Sequence, residues 1–193
     1  MIKKLALVGL VLSSCSYISY SDTLPLIKTA LVGIDDIEIT DEFIAEREYS
    51  FAKFKMGRSG IAILTLAYVN DGIFEWVSAS NEKIFTYNGK IIKTEGLINN
   101  INILNIDDLI ESSYMTNKQY SFLVNLTNPS AIVEHKSQYA FNRSLITESV
   151  FIPSLNKNFK NFYFINDSNG RIVRSIQSIH PRLPKIEIDF YYK

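Results

Sequence analysis

The sequence contains few of the residues on which most catalytic and metal-binding chemistry depends. Its 193 residues include one cysteine and two histidines. One cysteine excludes an internal disulfide and a cysteine-based metal cluster, and two histidines leave little for a zinc site or a histidine-dependent active site. Lys and Arg together number 20, as do Asp and Glu. Because nucleic-acid-binding proteins carry a basic excess on one face or tail, this balance argues against a nucleic-acid partner.

The sequence motifs of common enzymes and ligand sites are also missing. It contains no G-x-S-x-G elbow, no H-x-x-H pair, no D-x-D-x-D-G loop and no glycine-rich phosphate loop. Two pairs of adjacent aspartates fall in predicted loops, which does not place two carboxylates on either side of a glycosidic bond. His135 and His180 are predicted to be surface or turn histidines. We therefore predict a non-enzymatic protein with no catalytic residue, no metal ligand and no cofactor.

The N-terminus carries an apolar run that is too short to cross a membrane. A basic start precedes apolar residues 5–12, whereas a membrane-spanning helix needs roughly 18 or more. This pattern is typical of a signal peptide. The run ends in Leu12-Ser13-Ser14-Cys15, which looks like a bacterial lipobox, in which the cysteine thiol receives a diacylglycerol. We predict a signal peptide over residues 1–14, lipidation at Cys15 and a lipidated tether over residues 15–22.

Strand patterns dominate the rest of the chain. A short helix is predicted at residues 23–32, and Asn88-Gly89 and Asn169-Gly170 mark tight turns, since both residues of such hairpin turns need a positive φ. The predicted strands cover residues 61–69, 73–78, 83–87, 90–94, 97–104, 120–126, 131–141, 147–152, 159–165, 171–179 and 185–192. The sequence predicts one all-β domain over residues 23–193: a strongly curved antiparallel sheet, half-barrel or sandwich-like, with a short N-terminal helix.

Aromatic and basic side chains supply the candidate binding residues. Trp76, Tyr87 and Tyr163 could stack on sugar rings, and Arg171 and Arg174 could meet an anionic polymer. The alternatives are that these aromatics belong to the core of the sheet and that the arginines are solvated strand residues. The sequence leaves both interpretations open.

Three features occur in the order and spacing of a known family. They are the lipobox; Trp76-Val77-Ser78 followed by the hairpin Asn88-Gly89-Lys90-Ile91-Ile92-Lys93-Thr94-Glu95-Gly96-Leu97; and Phe162-Tyr163-Phe164 followed by Asp167-Ser168-Asn169-Gly170-Arg171-Ile172-Val173-Arg174-Ser175 and by Gln177. Together they resemble the YjbF/GfcB family of bacterial lipoproteins, whose genes lie in exopolysaccharide and group-four capsule clusters. The stretch from Asn105 to Ser154 departs from the pattern of that family.

The resemblance implies a lipid-anchored outer-membrane protein of β fold on the periplasmic face. Ser16, directly after Cys15, supports that location by resemblance to enterobacterial lipoproteins. The implied role is to assist capsule or exopolysaccharide secretion or assembly by binding a polysaccharide or other proteins of the secretion cluster. Two alternatives remain at this point: an acyl-chain carrier that holds lipid within its curved sheet and, less favoured, a polysaccharide-modifying enzyme.

Overall fold

The computed structural model describes residues 38–107 and 118–193. All of them belong to one compact unit, Asp35–Lys193. The predicted signal peptide, tether and helix at 23–32 lie outside the described residues. The described elements are α1 Asp41–Ala45, β1 Phe51–Met56, β2 Ala62–Asn70, β3 Ile73–Val77, β4 Lys83–Tyr87, β5 Lys90–Glu95, β6 Ile101–Ile103, β7 Gln119–Leu126, β8 Ala131–Asn142, β9 Leu145–Ile152, a 3-10 turn Pro153–Leu155, β10 Lys157–Ile165, β11 Ile172–Gln177 and β12 Ile186–Tyr191.

The twelve strands form a closed antiparallel barrel. Each strand pairs with the strands before and after it in the sequence, and β1 pairs with β12, from Phe51 opposite Tyr191 to Met56 opposite Ile186. The predicted curved antiparallel sheet is therefore confirmed, but it closes completely instead of forming a half-barrel or sandwich. Closure gives every strand two neighbours, so that the barrel has no free edge.

Alternation along the strands decides which side chains fill the barrel. In β7, Tyr120, Phe122, Val124 and Leu126 point inward and are buried, whereas the residues between them face outward. Such a period of two is what a sheet with one buried face requires. The largest fully enclosed side chains include two aromatic residues of the predicted binding set, Trp76 and Tyr163. The barrel interior is thus a packed core.

The connections lie at two ends of the barrel. We call the end where β1 begins and β12 ends the near end, and the other the far end. Two near-end turns are tight hairpins in which both central residues have positive φ: Asp71 and Gly72 at 49° and 78°, and Asn88 and Gly89 at 46° and 75°. The hairpin predicted at Asn88-Gly89 is confirmed, since these values suit a type I′ turn.

Some elements differ from the sequence-based prediction. Of the apolar residues 97–104, only Ile101–Ile103 form a strand. The Asn100 side chain accepts from the Leu97 backbone N–H and donates to the Leu97 carbonyl, which fixes a loop immediately before that strand. No helix within residues 38–107 and 118–193 has the length and apolar character needed to span a membrane.

Gly89 and Gly170 allow the cost of packing at a turn to be separated from the cost of backbone strain. Both have positive φ, 75° and 70°. A Cβ on Gly89 would lie 2.9 Å from Ile172 Cβ and closer still to its Cγ2, whereas a Cβ on Gly170 would meet nothing within 4 Å. We expect Gly170→Ala to lower the free energy of unfolding by about 1 kcal/mol through strain. Gly89→Ala should cost about 1–3 kcal/mol more through overpacking.

Urea unfolding of the two variants and the parent protein measures this difference. Equal losses for the two variants would mean that the β4–β5 turn does not pack against Ile172 in solution.

Candidate functional site

A polar cluster occupies the centre of the barrel, around the carboxylate of Glu148. Residues at even positions of β9 face inward, which places Glu148 in the interior with its side chain fully buried. Oε1 of Glu148 accepts hydrogen bonds from Lys90 Nζ, Ser137 Oγ (2.7 Å) and Tyr139 OH (3.0 Å). Oε2 accepts from Asn161 Nδ2 (2.8 Å) and Tyr163 OH (2.7 Å). We call these six residues the central cluster.

The central cluster keeps Glu148 ionised despite its burial. Burial alone would raise the pKa of Glu148, but the positive charge and hydrogen bond of Lys90, together with hydrogen bonds from Ser137 and Asn161, lower it to about 2. Because the pKa is lower in the folded state than in the unfolded chain, the stability that this group contributes is present above about pH 4.5 and is lost as the pH falls toward 2. Glu148 is therefore a permanent anion at neutral pH.

Gln177 connects the central cluster to the β4–β5 turn. Its Nε2 donates to the Gly89 carbonyl (2.8 Å), and its Oε1 accepts from the Ile91 backbone N–H (2.9 Å). The turn is thereby held against β11, and the next residue after it, Lys90, extends into the interior to reach Glu148. Lys90, Tyr163 and Gln177, all part of the motifs that carry the family resemblance, thus meet inside the barrel.

His135 lies beside the central cluster. It is 8 % exposed, because Val133, His135, Ser137 and Tyr139 form the inward face of β8. The prediction of a surface histidine is therefore wrong, since both strand faces carry polar residues and the sequence did not reveal which one turns inward. Nε2 of His135 is buried without a protein hydrogen-bond partner next to a cavity of about 20 Å³. That volume holds about one water molecule, far too little for an acyl chain.

His180 is the turn histidine that the sequence predicted, although it is buried. Its Nδ1 accepts from the Arg182 backbone N–H (3.1 Å), and its Nε2 donates to the Thr127 carbonyl (3.0 Å). Within the described residues, neither His135 nor His180 hydrogen-bonds to a serine or threonine hydroxyl. The same part of the chain contains no group of three or more His, Cys, Asp or Glu side chains that could hold a metal ion.

The five predicted binding residues lie in three different places. Trp76 and Tyr163 are fully buried: Trp76 Nε1 donates to Thr86 Oγ1 (2.9 Å), and Tyr163 belongs to the central cluster. Arg174 lies on the outer wall of the barrel. Tyr87, at the end of β4, and Arg171, directly before β11, lie at the near end.

Arg174 is engaged with neighbouring acidic residues. Its Nη2 lies 2.9 Å from Glu187 Oε2 and its Nε 3.5 Å from Asp189 Oδ1. Its guanidinium also lies 5.9 Å from the ring centroid of Phe164. An anionic ligand would have to compete with both carboxylates for this arginine.

A pocket of about 410 Å³ opens at the near end, and we call it the mouth pocket. Its floor is the buried Gly89 of the β4–β5 turn against Ile172. Apolar side chains and polar groups contribute about equally to its exposed lining, and Asn88 and Arg171 stand at its rim. The Arg171 guanidinium lies 5.5 Å from the centroid of the Tyr192 ring. Burial raises the pKa of Tyr192 to about 12, and the charge of Arg171 opposes this rise.

A groove of about 500 Å³ runs over the outer wall of β7–β10, and we call it the outer groove. The strand registers align its polar side chains in rows. One row runs across all four strands and consists of Gln119, Gln138, Ser149 and Lys160. The neighbouring row consists of Lys136, Phe151 and Asn158.

The outer groove has the composition of a site for polar ligands with apolar faces. Its amide and hydroxyl groups can both donate and accept hydrogen bonds, and Phe151 presents an exposed ring between them. Lys136 and Lys160 add two positive charges, and Glu134 lies 3.7 Å from Lys136. Sequence reasoning missed these residues because the outward-facing Phe151 stands between apolar Val150 and Ile152, and nothing local distinguishes its direction. Alternation of polar residues in β8 and β10 was the one available signal.

Removal of one partner of the buried ion pair should strongly destabilise the folded protein. Lys90→Met leaves the Glu148 carboxylate buried without a cation, and we expect the free energy of unfolding to fall by about 3–5 kcal/mol. The double variant Lys90→Met/Glu148→Gln should lose less free energy of unfolding than the sum of the losses in the two single variants, because neither charge is then left buried without the other. Urea unfolding of all three proteins gives the coupling energy.

The exposed pair of Arg174 and Glu187 provides the control, since both side chains are 45 % exposed. Arg174→Ala should cost less than about 1 kcal/mol. A loss for Lys90→Met no greater than that for Arg174→Ala would contradict the role given to the central cluster.

His135 should make the barrel sensitive to mild acid. Burial and, secondarily, the charge of Lys90 lower its pKa from 6.5 to about 4, while the charge of Glu148 opposes the shift. The unfolded chain therefore takes up a proton that the folded protein excludes, and stability falls as the pH drops below about 6.5. When the pH is lowered from 7 to 5, the free energy of unfolding should fall by about 2 kcal/mol less in His135→Gln than in the parent protein.

Urea unfolding at both pH values measures this difference. The pKa of His180 is also lowered, mainly by burial, but His180 is present in both proteins and does not affect the comparison. Equal losses would show that His135 takes up its proton in the folded barrel.

The fold has a counterpart among solved structures. The crystal structure of the hypothetical lipoprotein YmcC from Escherichia coli (K12) superposes with a TM-score of 0.65, covers 92% of this chain and 98% of its own, and is 18% identical in sequence. At that identity the likeness concerns the fold alone. The uncharacterized lipoprotein GfcB from Escherichia coli (strain K12) is 26% identical over 97 residues, which is 50% of this chain and 45% of that protein.

A family profile covers most of the chain. The profile described as group 4 capsule polysaccharide lipoprotein gfcB, YjbF, matches residues 25–190. The match extends through Asn105 to Ser154, the stretch in which the sequence departs from the family pattern, and through the described strands as far as residue 190 in β12. The chain therefore belongs to the YjbF family of group 4 capsule polysaccharide lipoproteins.

Proposed function

We propose that this protein is a lipid-anchored, non-enzymatic accessory of capsule or exopolysaccharide secretion and that it binds polysaccharide in the outer groove. Membership of a capsule lipoprotein family supports the pathway. The lipobox at Cys15 supports the anchor, and Ser16 supports sorting to the outer membrane, with the barrel on its periplasmic face. Other proteins of the secretion cluster are its expected partners.

The observation that carries the binding role is the chemistry of the outer groove. A sugar ring has hydroxyl groups at its edge and C–H groups on its faces. Gln138, Ser149 and Asn158 match the hydroxyl groups, and the exposed ring of Phe151 matches the C–H face. The groove crosses four strands, so it can accept several units of a polymer. Lys136 and Lys160 favour a polymer that carries acidic groups.

The described histidines and carboxylates do not favour an enzyme. Glu148 is held as a buried anion, and neither His135 nor His180 hydrogen-bonds to a hydroxyl nucleophile within the described residues. The seven side chains that form the two rows of the outer groove include no carboxylate, so the paired acids of a glycosidase are not found among them. The groove therefore supports binding and positioning of a polymer.

Groove variants test the binding role directly. The double variant Phe151→Ala/Lys160→Ala removes one aromatic face and one charge, and we expect affinity for surface polysaccharide extracted from the parent bacterium to fall about 10-fold or more. Phe141→Ala removes an exposed ring at the mouth pocket and serves as the matched control. Binding is measured by biolayer interferometry with immobilised polysaccharide, and dextran serves as the neutral comparison polymer. Equal affinities of the groove variant and the control would refute the assignment.

The same variants link binding to secretion in the cell. In a strain that lacks the gene, the parent protein should restore surface polysaccharide, whereas the groove variant and Cys15→Ser should not. Immunoblots check that each variant accumulates to the level of the parent protein, and membrane fractionation checks whether each variant is attached to the membrane. Unchanged polysaccharide in the deletion strain would rule out the proposed role in secretion.

A further inference from the structure

The mouth pocket differs from the outer groove in its place on the barrel and in the side chains that line it. Phe74, Phe141, Ile146, Ile165 and Tyr192 form its walls. Side chains of this kind offer few partners for sugar hydroxyls but favour a hydrocarbon. Its volume of about 410 Å³ falls within the range of about 300–1,000 Å³ in which proteins bind small molecules.

The walls and floor of the mouth pocket are held in place by packing. Phe74 packs edge-on against Tyr192, with 5.8 Å between ring centroids, and nearly parallel to the buried Trp76 at 6.0 Å. The floor at Gly89 is fixed by the hydrogen bond from Gln177. Phe141, at the end of β8, is 55 % exposed and forms an accessible side of the pocket. The pocket is therefore preformed and open to solvent on one side.

One charge marks the rim. The Arg171 guanidinium stacks over the Tyr192 ring and forms no ion pair with the carboxylates of the described residues. Tyr192 is neutral at physiological pH, as an ordinary tyrosine is, and burial raises its pKa further, to about 12. No acidic side chain lines the pocket within the part of the chain that the structure describes. An anionic group at the rim would thus meet a cation without an internal competitor.

We propose that the mouth pocket binds a single acyl chain with its carboxylate at Arg171, as in a fatty acid. The apolar walls receive the hydrocarbon, and the guanidinium binds the head group through charge-assisted hydrogen bonds. The barrel interior cannot receive the chain, because it is filled by side chains around the central cluster. This second binding activity goes beyond polysaccharide binding and depends on none of the residues of the outer groove.

Photo-crosslinking tests the assignment on the full-length protein. The protein is reconstituted in phosphatidylcholine vesicles and irradiated with a diazirine derivative of palmitic acid or with the methyl ester of the same compound. We expect the acid to label the peptides that contain Phe141 and Tyr192, and unlabelled palmitate to compete. Arg171→Gln should lower labelling by the acid about 10-fold and leave labelling by the ester unchanged.

Matched variants separate a specific site from general hydrophobic adsorption. Arg58→Gln changes an exposed arginine in the far-end β1–β2 turn and should leave labelling unchanged. Phe141→Ala should lower labelling by both acid and ester, whereas Phe151→Ala/Lys160→Ala should lower neither. Labelling spread evenly over the barrel, equal labelling by acid and ester in the parent protein, or equal effects of Arg171→Gln and Arg58→Gln would each overturn the proposal. None of these outcomes bears on polysaccharide binding in the outer groove.

Discussion

The buried ion pair of Lys90 and Glu148 is the interaction on which the arrangement of the barrel depends. A carboxylate without exposure is tolerable in a protein interior only when its charge and its lone pairs are matched. Here one lysine and four neutral donors match them, and these donors come from β5, β8 and β10, whereas Glu148 itself lies on β9. A shift in the register of β5 or β9 would separate the two charges, and a shift of β8 or β10 would remove neutral donors from the buried carboxylate, so the cluster favours one register.

The same pair explains how the β4–β5 turn is positioned at the near end. Lys90 must reach inward directly after the Asn88-Gly89 turn, and Gln177 fixes that turn against β11. The turn is therefore held in a fixed position and forms the floor of the mouth pocket, beside its apolar side chains. The outer groove has a different origin, because it follows from the row alignment of outward-facing residues on four long strands. The buried ion pair thus positions the floor of the mouth pocket, and the alignment of outward-facing residues forms the outer groove.

Local signals in the sequence were sufficient for much of the secondary structure. Asn88-Gly89 predicts its hairpin because few residue pairs accept two positive φ angles. The pairing of β1 with β12 could not be predicted in this way, since Phe51 and Tyr191 are distant in sequence and their contact depends on the curvature of all the strands between them. The surface position predicted for His135 is wrong, and the core and binding interpretations of Trp76 stayed open, for a related reason: a strand with polar and aromatic residues on both faces does not reveal which face turns inward.

The pairing of the first strand with the last also constrains the order of events during biogenesis. β1 is synthesised more than a hundred residues before β12, its permanent neighbour, and until then its backbone donors and acceptors on that side have no ladder to join. β1 and β12 can pair only after the C-terminal residues have been synthesised, and strand pairing over such a long sequence separation is slow. Until β12 is available, the unpaired side of β1 is a sheet edge of the kind that promotes aggregation.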